Sequence, residues 1–235
     1  MSRRPGAVAI VLARGGSKGI PGKNLVRIAG RPLVAYTVAQ ALAVEEISRV
    51  IVSTDSAEIA LAAKELGAEI VERPAELCGD TATSESGLLH CLDHLERTEG
   101  LVPELVVFLQ PTSPLRSPRY IREAILAFER EGADSLFSAG PLQGLAWRME
   151  EGVPVPVSYD PRSRKRRQDA PEYLAENGSI YVFKPRVLRD LNCRLGGKVA
   201  VYRMSALDSF EVDEPEDVPV VEFLLRSRFP ELVCE

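Results

Sequence analysis

The chain has little cysteine, little histidine, no excess of positive charge and no long apolar run. Its four cysteines, Cys78, Cys91, Cys193 and Cys234, show no C-x-x-C spacing, so reduced thiols in a cytoplasmic setting fit best. With only two histidines, His90 and His94, a zinc site is poorly supported. The two lie on one expected helix, but no glutamate follows the first, and they read as polar residues on a half-exposed face. A formal charge of −5, from 29 lysines and arginines against 34 aspartates and glutamates, argues against general nucleic-acid binding, which needs a basic face. The apolar runs are too short to cross a bilayer. The opening MSRRPG has the positive start of a signal peptide, but the apolar stretch behind it lasts only about six residues before Arg14 interrupts it. A soluble, cytoplasmic protein with no membrane or nucleic-acid partner is expected, and any anionic ligand has to be met by a local cluster of cations.

What is present is ordinary globular material: 235 residues, 45% hydrophobic and 27% charged, enough for one compact domain over 1–235. Short β-rich runs alternate with amphipathic helical windows, the pattern of an α/β fold with a mostly parallel or mixed sheet covered on both faces by helices. Strands are expected near Ala7–Leu12, Arg49–Ser53, Glu69–Glu72, Leu105–Gln110, Ser135–Ser138, Ser179–Phe183 and Ala200–Met204. Helices fit Leu33–Ala43, Ala57–Leu66, Glu85–Glu96, Arg119–Glu131 and Glu216–Arg228. Thr54, Asp55 and Ser56 offer a cap for the second helix and Gly67 follows its last apolar residue. Between Gly140 and Glu176 the periodicity fades and Pro, Arg and Gly accumulate, which reads as a long irregular insertion, over 140–176, of the kind that serves function or subunit contact.

The first strand runs into ARGGSKGIPGKN, residues 13–24. Two familiar glycine-rich patterns fail on spacing. A Walker A loop would need glycine at Ser17 and a hydroxyl residue at Asn24, and a dinucleotide fingerprint would need glycine at Arg14. The residue types still suit phosphate: glycines let backbone N–H groups approach the oxygens, while Arg14, Lys18 and Lys23 supply charge-assisted hydrogen bonds. Three cations exceed what a monophosphate needs, and the loop sits at the carboxyl end of a strand, where open α/β sheets place ligands.

Six stretches in order, LARGGSKGIPGKN, STD at 53–55, RPAEL at 73–77, LQPTSPLR at 109–116, ENGSIYVF at 176–183 and SFEVDEPEDV at 209–218, resemble the N-acylneuraminate cytidylyltransferases, the CMP-sialic acid synthetases. The resemblance covers nearly the whole chain. It implies a Rossmann-like nucleotidyltransferase fold, CTP and a nine-carbon 2-keto acid sugar as substrates, Mg²⁺ as cofactor, and a homodimer in which the insertion, with Gly140 to Pro171 as candidate contact, reaches the partner's site. Legionaminic, pseudaminic, KDN and Kdo sugars stay open as alternatives. A nucleotide-binding regulatory relative without activity also stays open, and lost metal carboxylates would favour it.

Residue by residue, the resemblance assigns Arg14, Lys18 and Lys23, with Gly15, to the triphosphate and Asn24 to the ribose or base. Backbone groups around Leu12 and Ala13, with Arg73, Thr83 and Ser84, are expected to read cytosine; Thr83 or Ser84 also suits a helix N-cap. Glu211 and Asp213, one residue apart on an expected strand end, fall on one face and are the metal ligands, with glutamate where the family usually has aspartate. Gln110 is expected to face the sugar, together with Asn177, Gly178 and Tyr181, while Arg116 reads as either a turn cap or a ligand contact. In the basic run 162–169, Arg167 and Gln168 are the candidates for the sugar's carboxylate, the rest being a solvated face. Family members often carry arginine where Ala175 stands.

Overall fold

The structure is a computed structural model and describes residues 6–233. In chain order the strands are β1 (Ala7–Leu12), β2 (Arg27–Ile28), β3 (Arg31–Pro32), β4 (Ile47–Thr54), β5 (Glu69–Glu72), β6 (Val106–Leu109), β7 (Ser135–Pro141), β8 (Trp147–Glu150), β9 (Val153–Pro156), β10 (Leu174–Phe183) and β11 (Val199–Arg203). The helices are α1 (Leu33–Leu42), α2 (Ala57–Glu65), α3 (Ser84–Glu99), α4 (Pro118–Glu131), α5 (Pro185–Leu191) and α6 (Asp217–Arg228).

Seven strands form one sheet in the order β11-β7-β10-β6-β1-β4-β5. All neighbours run parallel except β10, which is antiparallel to both β6 and β7. Continuous apolar runs such as AVAIVL are explained by burial on both faces. Along β1, Ala7, Ala9 and Val11 pack on one side with Val34, Val38 and Ile121, while Val8 and Ile10 pack on the other with Leu88 and Leu92. A third cluster, around Ile28, Leu33, Tyr36 and Leu225, fastens α6 to the start of α1.

The helix punctuation works as the sequence suggests. Ser56 caps α2 by accepting from the Ile59 N–H, Thr83 caps α3 by accepting from Ser86, and α4 begins with Pro118 at its first turn.

Several elements differ from expectation. Helix α5 is only seven residues long, too short for a 3.6 period to show. Strand β10 begins at Leu174 rather than Ser179, because its register breaks between Glu176 and Tyr181 and so hides the alternation. The insertion is more ordered than expected. Strand β7 runs on to Pro141, β10 starts at Leu174, and between them β8 and β9 make a separate antiparallel hairpin turning at Glu151–Gly152. Prolines at 154 and 156 masked that strand in the sequence. Leu145, Trp147, Met149, Val153 and Tyr173 stand exposed along this arm, Met149 at 67%.

Candidate active site at the carboxyl end of the sheet

Parallel strands deliver their following loops to one edge of the sheet. Here Leu12 ends β1 and Gln110 follows β6, and a cleft of about 290 Å³ opens between them, lined by Arg14, Ser17, Lys23 and Asn24 on one side and by Arg73, Thr83, Ser84 and Phe108 on another. A larger concavity of about 920 Å³ lies on the arm, between Pro141–Leu145 and Val157–Tyr173, and holds none of these groups.

The glycine-rich loop is held in place from three directions. Gly15 donates its N–H to Asp55 Oδ1 at 2.7 Å, and Asn24 Nδ2 donates to the Arg14 carbonyl at 2.9 Å. Lys23, only 13% exposed, donates through Nζ to the Val212 carbonyl and to Asp213 Oδ1, both at 3.0 Å. A side chain at Gly19 would place its Cβ 2.3 Å from the Asp213 carbonyl oxygen, so the loop can press on that backbone only because position 19 is glycine. The loop at the start of the chain and the acidic segment near its end therefore meet.

Arg14 and Lys18 face another carboxylate. Arg14 Nη1 donates to the carbonyls of Cys78 and Gly79 and lies 3.5 Å from Asp80 Oδ1; Lys18 Nζ lies 3.0 Å from Asp80 Oδ2. The Lys18 hydrogen bond is the main reason the Asp80 carboxyl sits below its ordinary pKa. Asp80 is an internal anion on two of the three phosphate-type cations. Asp80 stands three residues before Thr83, and nothing in the sequence pattern around it marks it as a partner of the loop cations.

At the inner wall, buried Arg73 donates through Nε to Ser53 Oγ at 3.0 Å and through Nη2 to the Ser53 carbonyl at 2.7 Å. It makes no ion pair among the described residues, and burial lowers its pKa. Ser84 opens α3 and lines the cleft, and Thr83 lines it while also capping the helix. Ala13 donates its N–H to the Ser53 carbonyl, so a contact from Ala13 to a base has to use its carbonyl.

Glu211 and Asp213 are not on a strand. They flank Val212 in an extended segment after the 3-10 turn Leu207–Ser209, held by one backbone bond from Val212 N–H to the Thr112 carbonyl. Val212 is fully buried, while Glu211 lies beside Gln110 and Gly178 and Asp213 on Lys23. Burial first, and then the charge of Asp213, push the Glu211 carboxyl up to about 7. Two crowded carboxylates of this kind fit a hard divalent cation, which takes oxygen ligands and relieves their repulsion. Among the described residues no cluster of three or more His, Cys, Asp or Glu is assembled, so further ligands would be oxygens of water, substrate or neutral groups.

Gln110 and Glu211 converge on Gly178. A Cβ there would meet Gln110 Oε1 at 2.6 Å and Glu211 Oε1 at 2.8 Å, and the residue has φ +62°. Tyr181 follows on β10, stacked on Phe108 with ring centroids 5.6 Å apart. Asn177 has internal work instead: Oδ1 accepts from Ser138 Oγ at 2.6 Å and Nδ2 donates to Ser209 Oγ at 2.9 Å. Arg116 is wholly buried and donates to the Ser179 and Gln110 carbonyls and to Thr37 Oγ1, which makes it a structural tie behind the cleft and leaves no surface for ligand. Burial pushes its pKa down to about 9.

The basic run is not brought to this cleft. Gln168 is exposed in the 3-10 turn Arg167–Asp169 on the arm, and Arg166 pairs with Asp169 at 2.6 Å. The Arg167 side chain lies outside the described residues, as does Cys234. No helix among the described residues is long and apolar enough to cross a membrane.

Residues 8–222 match the family model described as cytidylyltransferase. An N-acylneuraminate cytidylyltransferase from Oncorhynchus mykiss is 36% identical over 91% of this chain and 49% of its own length. Post-translational flagellin modification protein B from Campylobacter coli is 30% identical over 93% of this chain and 94% of its own. Among solved structures, a CMP:2-keto-3-deoxy-manno-octonic acid synthetase complexed with CTP superposes with a TM-score of 0.72 at 19% identity, covering 95% of this chain and 100% of that one, which shows a shared fold. The chain spans about half the length of the fish relatives it matches. A match that runs from β1 into α6, over six motifs in one order, means that the chain belongs to the cytidylyltransferase family.

Proposed function

We propose that this protein joins CTP to a nonulosonic acid of the N-acylneuraminate type, giving the CMP-sugar and pyrophosphate. The observation that carries this reading is a cleft lined by Arg14, Lys23, Arg73, Thr83, Ser84 and Gln110, with Lys18 joined to Arg14 through Asp80 and with Asp213 on Lys23 and Glu211 beside Gln110 at its border. These suit a triphosphate, a small pyrimidine and a polyhydroxylated sugar in turn. The named relatives act as support for the sugar class.

The anomeric hydroxyl oxygen attacks the α-phosphorus, a new P–O bond forms as the bond to the β-phosphate oxygen breaks, and the hydroxyl proton passes to solvent. Such a displacement needs positioning and charge neutralisation and no covalent nucleophile from the enzyme. Arg14 and Lys18 exchange Asp80 for phosphate oxygens. Lys23, fixed by Asp213, faces the phosphate chain from the other side, Arg73 and Ser84 hold the base, and Gln110 with the open surface at Gly178 receives the sugar. Mg²⁺ seated on Glu211 and Asp213 would supply neutralisation of the charge on the leaving pyrophosphate.

A cytoplasmic location and a homodimer belong to the same reading. The dimer is supported by the exposed apolar residues of the β8–β9 arm. The direct test is pyrophosphate release with CTP, Mg²⁺ and a panel of nonulosonic acids. Release with at least one sugar is expected. Normal CTP binding with silence across the panel would favour a regulatory nucleotide-binding relative.

A further inference from the structure

The connection between α5 and β11 carries a cation that the motifs do not include. Arg194 is 17% exposed, and its guanidinium carbon lies 4.3 Å from the centre of the Tyr181 ring and 5.7 Å from that of Phe108. Nη1 donates to Glu85 Oε1 at 2.6 Å, and Nη2 lies 3.5 Å from Tyr181 Oη and 3.7 Å from Glu176 Oε1. Tyr181 Oη donates to the same Glu176 carboxylate. The Nε atom is buried and has no hydrogen-bond partner among the described residues.

This cluster borders the part of the cleft assigned above to the sugar. Phe108 is a cleft wall, and Gly178, which lies between Glu176 and Tyr181, packs close to Gln110. Arginine suits the position because its flat face stacks on a ring while its edge forks between two acids, which an ammonium cannot do. One guanidinium set against Glu85 and Glu176 leaves a local charge of −1. The wall is therefore rich in acceptors and repels a carboxylate. What it suits is a neutral substituent that donates hydrogen bonds.

We propose that Arg194 is a positioning residue that fixes Glu176 and Tyr181 as a hydrogen-bond-accepting wall, and that Glu176 thereby selects sugars presenting a hydrogen-bond donor, N–H or O–H, over analogues deoxygenated at the same carbon. The inference rests on the sugar-transfer reading above. It also places the sugar's carboxylate away from this wall, although Arg194 is a well-buried arginine near the cleft.

Steady-state kinetics on Arg194→Ala, Arg194→Lys and Glu176→Ala test it. Arg194→Ala should raise the sugar KM about tenfold while kcat and the KM for CTP stay within about twofold, and Arg194→Lys should recover part of the loss. Glu176→Ala should reduce the preference for the donor-bearing sugar over its deoxy analogue about tenfold. A folded Arg194→Ala enzyme with unchanged sugar KM, an equal rise in both KM values, or an unchanged preference in Glu176→Ala would overturn the proposal. If circular dichroism shows both Arg194 variants unfolded, the residue is structural and the proposal falls. Wild-type enzyme that turns over no sugar sinks the proposed function first and this inference with it; wild-type turnover with unaffected variants sinks this inference alone.

Discussion

Asp213→Asn should lower kcat by about a hundredfold or more while moving the thermal midpoint by less than about 2 °C. The side chain is 61% exposed, so its ion pair with Lys23 adds little to folding. Its charge is needed in the cleft. It holds Lys23 Nζ at 3.0 Å, and its charge is one cause of the raised Glu211 carboxyl two residues away. An amide keeps the shape and could still accept from Lys23, but it removes the anion a divalent cation needs. The measurement is kcat and melting temperature on the same preparation. Parallel losses in both would make Asp213 a structural residue and remove it from the chemistry.

Arg116→Ala should show the opposite profile, a fall in folding stability of about 3–5 kcal/mol by denaturant titration, because it leaves a large cavity and several buried acceptors without a donor. The guanidinium ties together three parts of the chain: Thr37 on α1, Gln110 after β6 and Ser179 on β10. Since Gln110 and the neighbour of Gly178 are among its partners, the activity that remains should carry a raised sugar KM. Arg116→Lys keeps the charge but cannot reach three acceptors, and it should recover less than half of the loss. A change under about 1 kcal/mol in Arg116→Ala would contradict the assignment of this residue as a tie.

These two residues show what the sequence reveals and what it hides. The strands of the parallel part are legible because burial on both faces demands continuous apolar runs, and AVAIVL and VVFL meet that demand without ambiguity. The glycine-rich loop was legible by its residue types and by its place after β1. Arg116 was not, since a motif arginine reads equally as ligand or tie until its 0% exposure is known. Asn177 is ambiguous in the sequence for the same reason. It sits one residue from Gly178, but its amide turns inward to Ser138 and Ser209.

What the sequence hid most completely are pairings between distant segments. Asp80 on Lys18 links positions 62 residues apart by their numbering, and Arg194 on Glu85 spans 109, with no periodicity to announce either. The glutamate at 211 is a subtler case. Its identity was plain, but its crowding against Gln110 and Gly178, and the burial that pushes its carboxyl up to about 7, exist only once β6, β10 and the extended segment have met.

The central claim is that one cleft holds CTP in a single orientation, with its phosphates on the loop cations and its base against Arg73 and Ser84. A crystal structure of the protein with CTP and Mg²⁺ reads this directly. The account predicts phosphate oxygens within hydrogen-bond distance of Arg14, Lys18 and Lys23, Asp80 displaced from both of its cations, and the pyrimidine beside Arg73. Nucleotide bound in the concavity of the arm, or lying reversed with its base at Lys23, would contradict it.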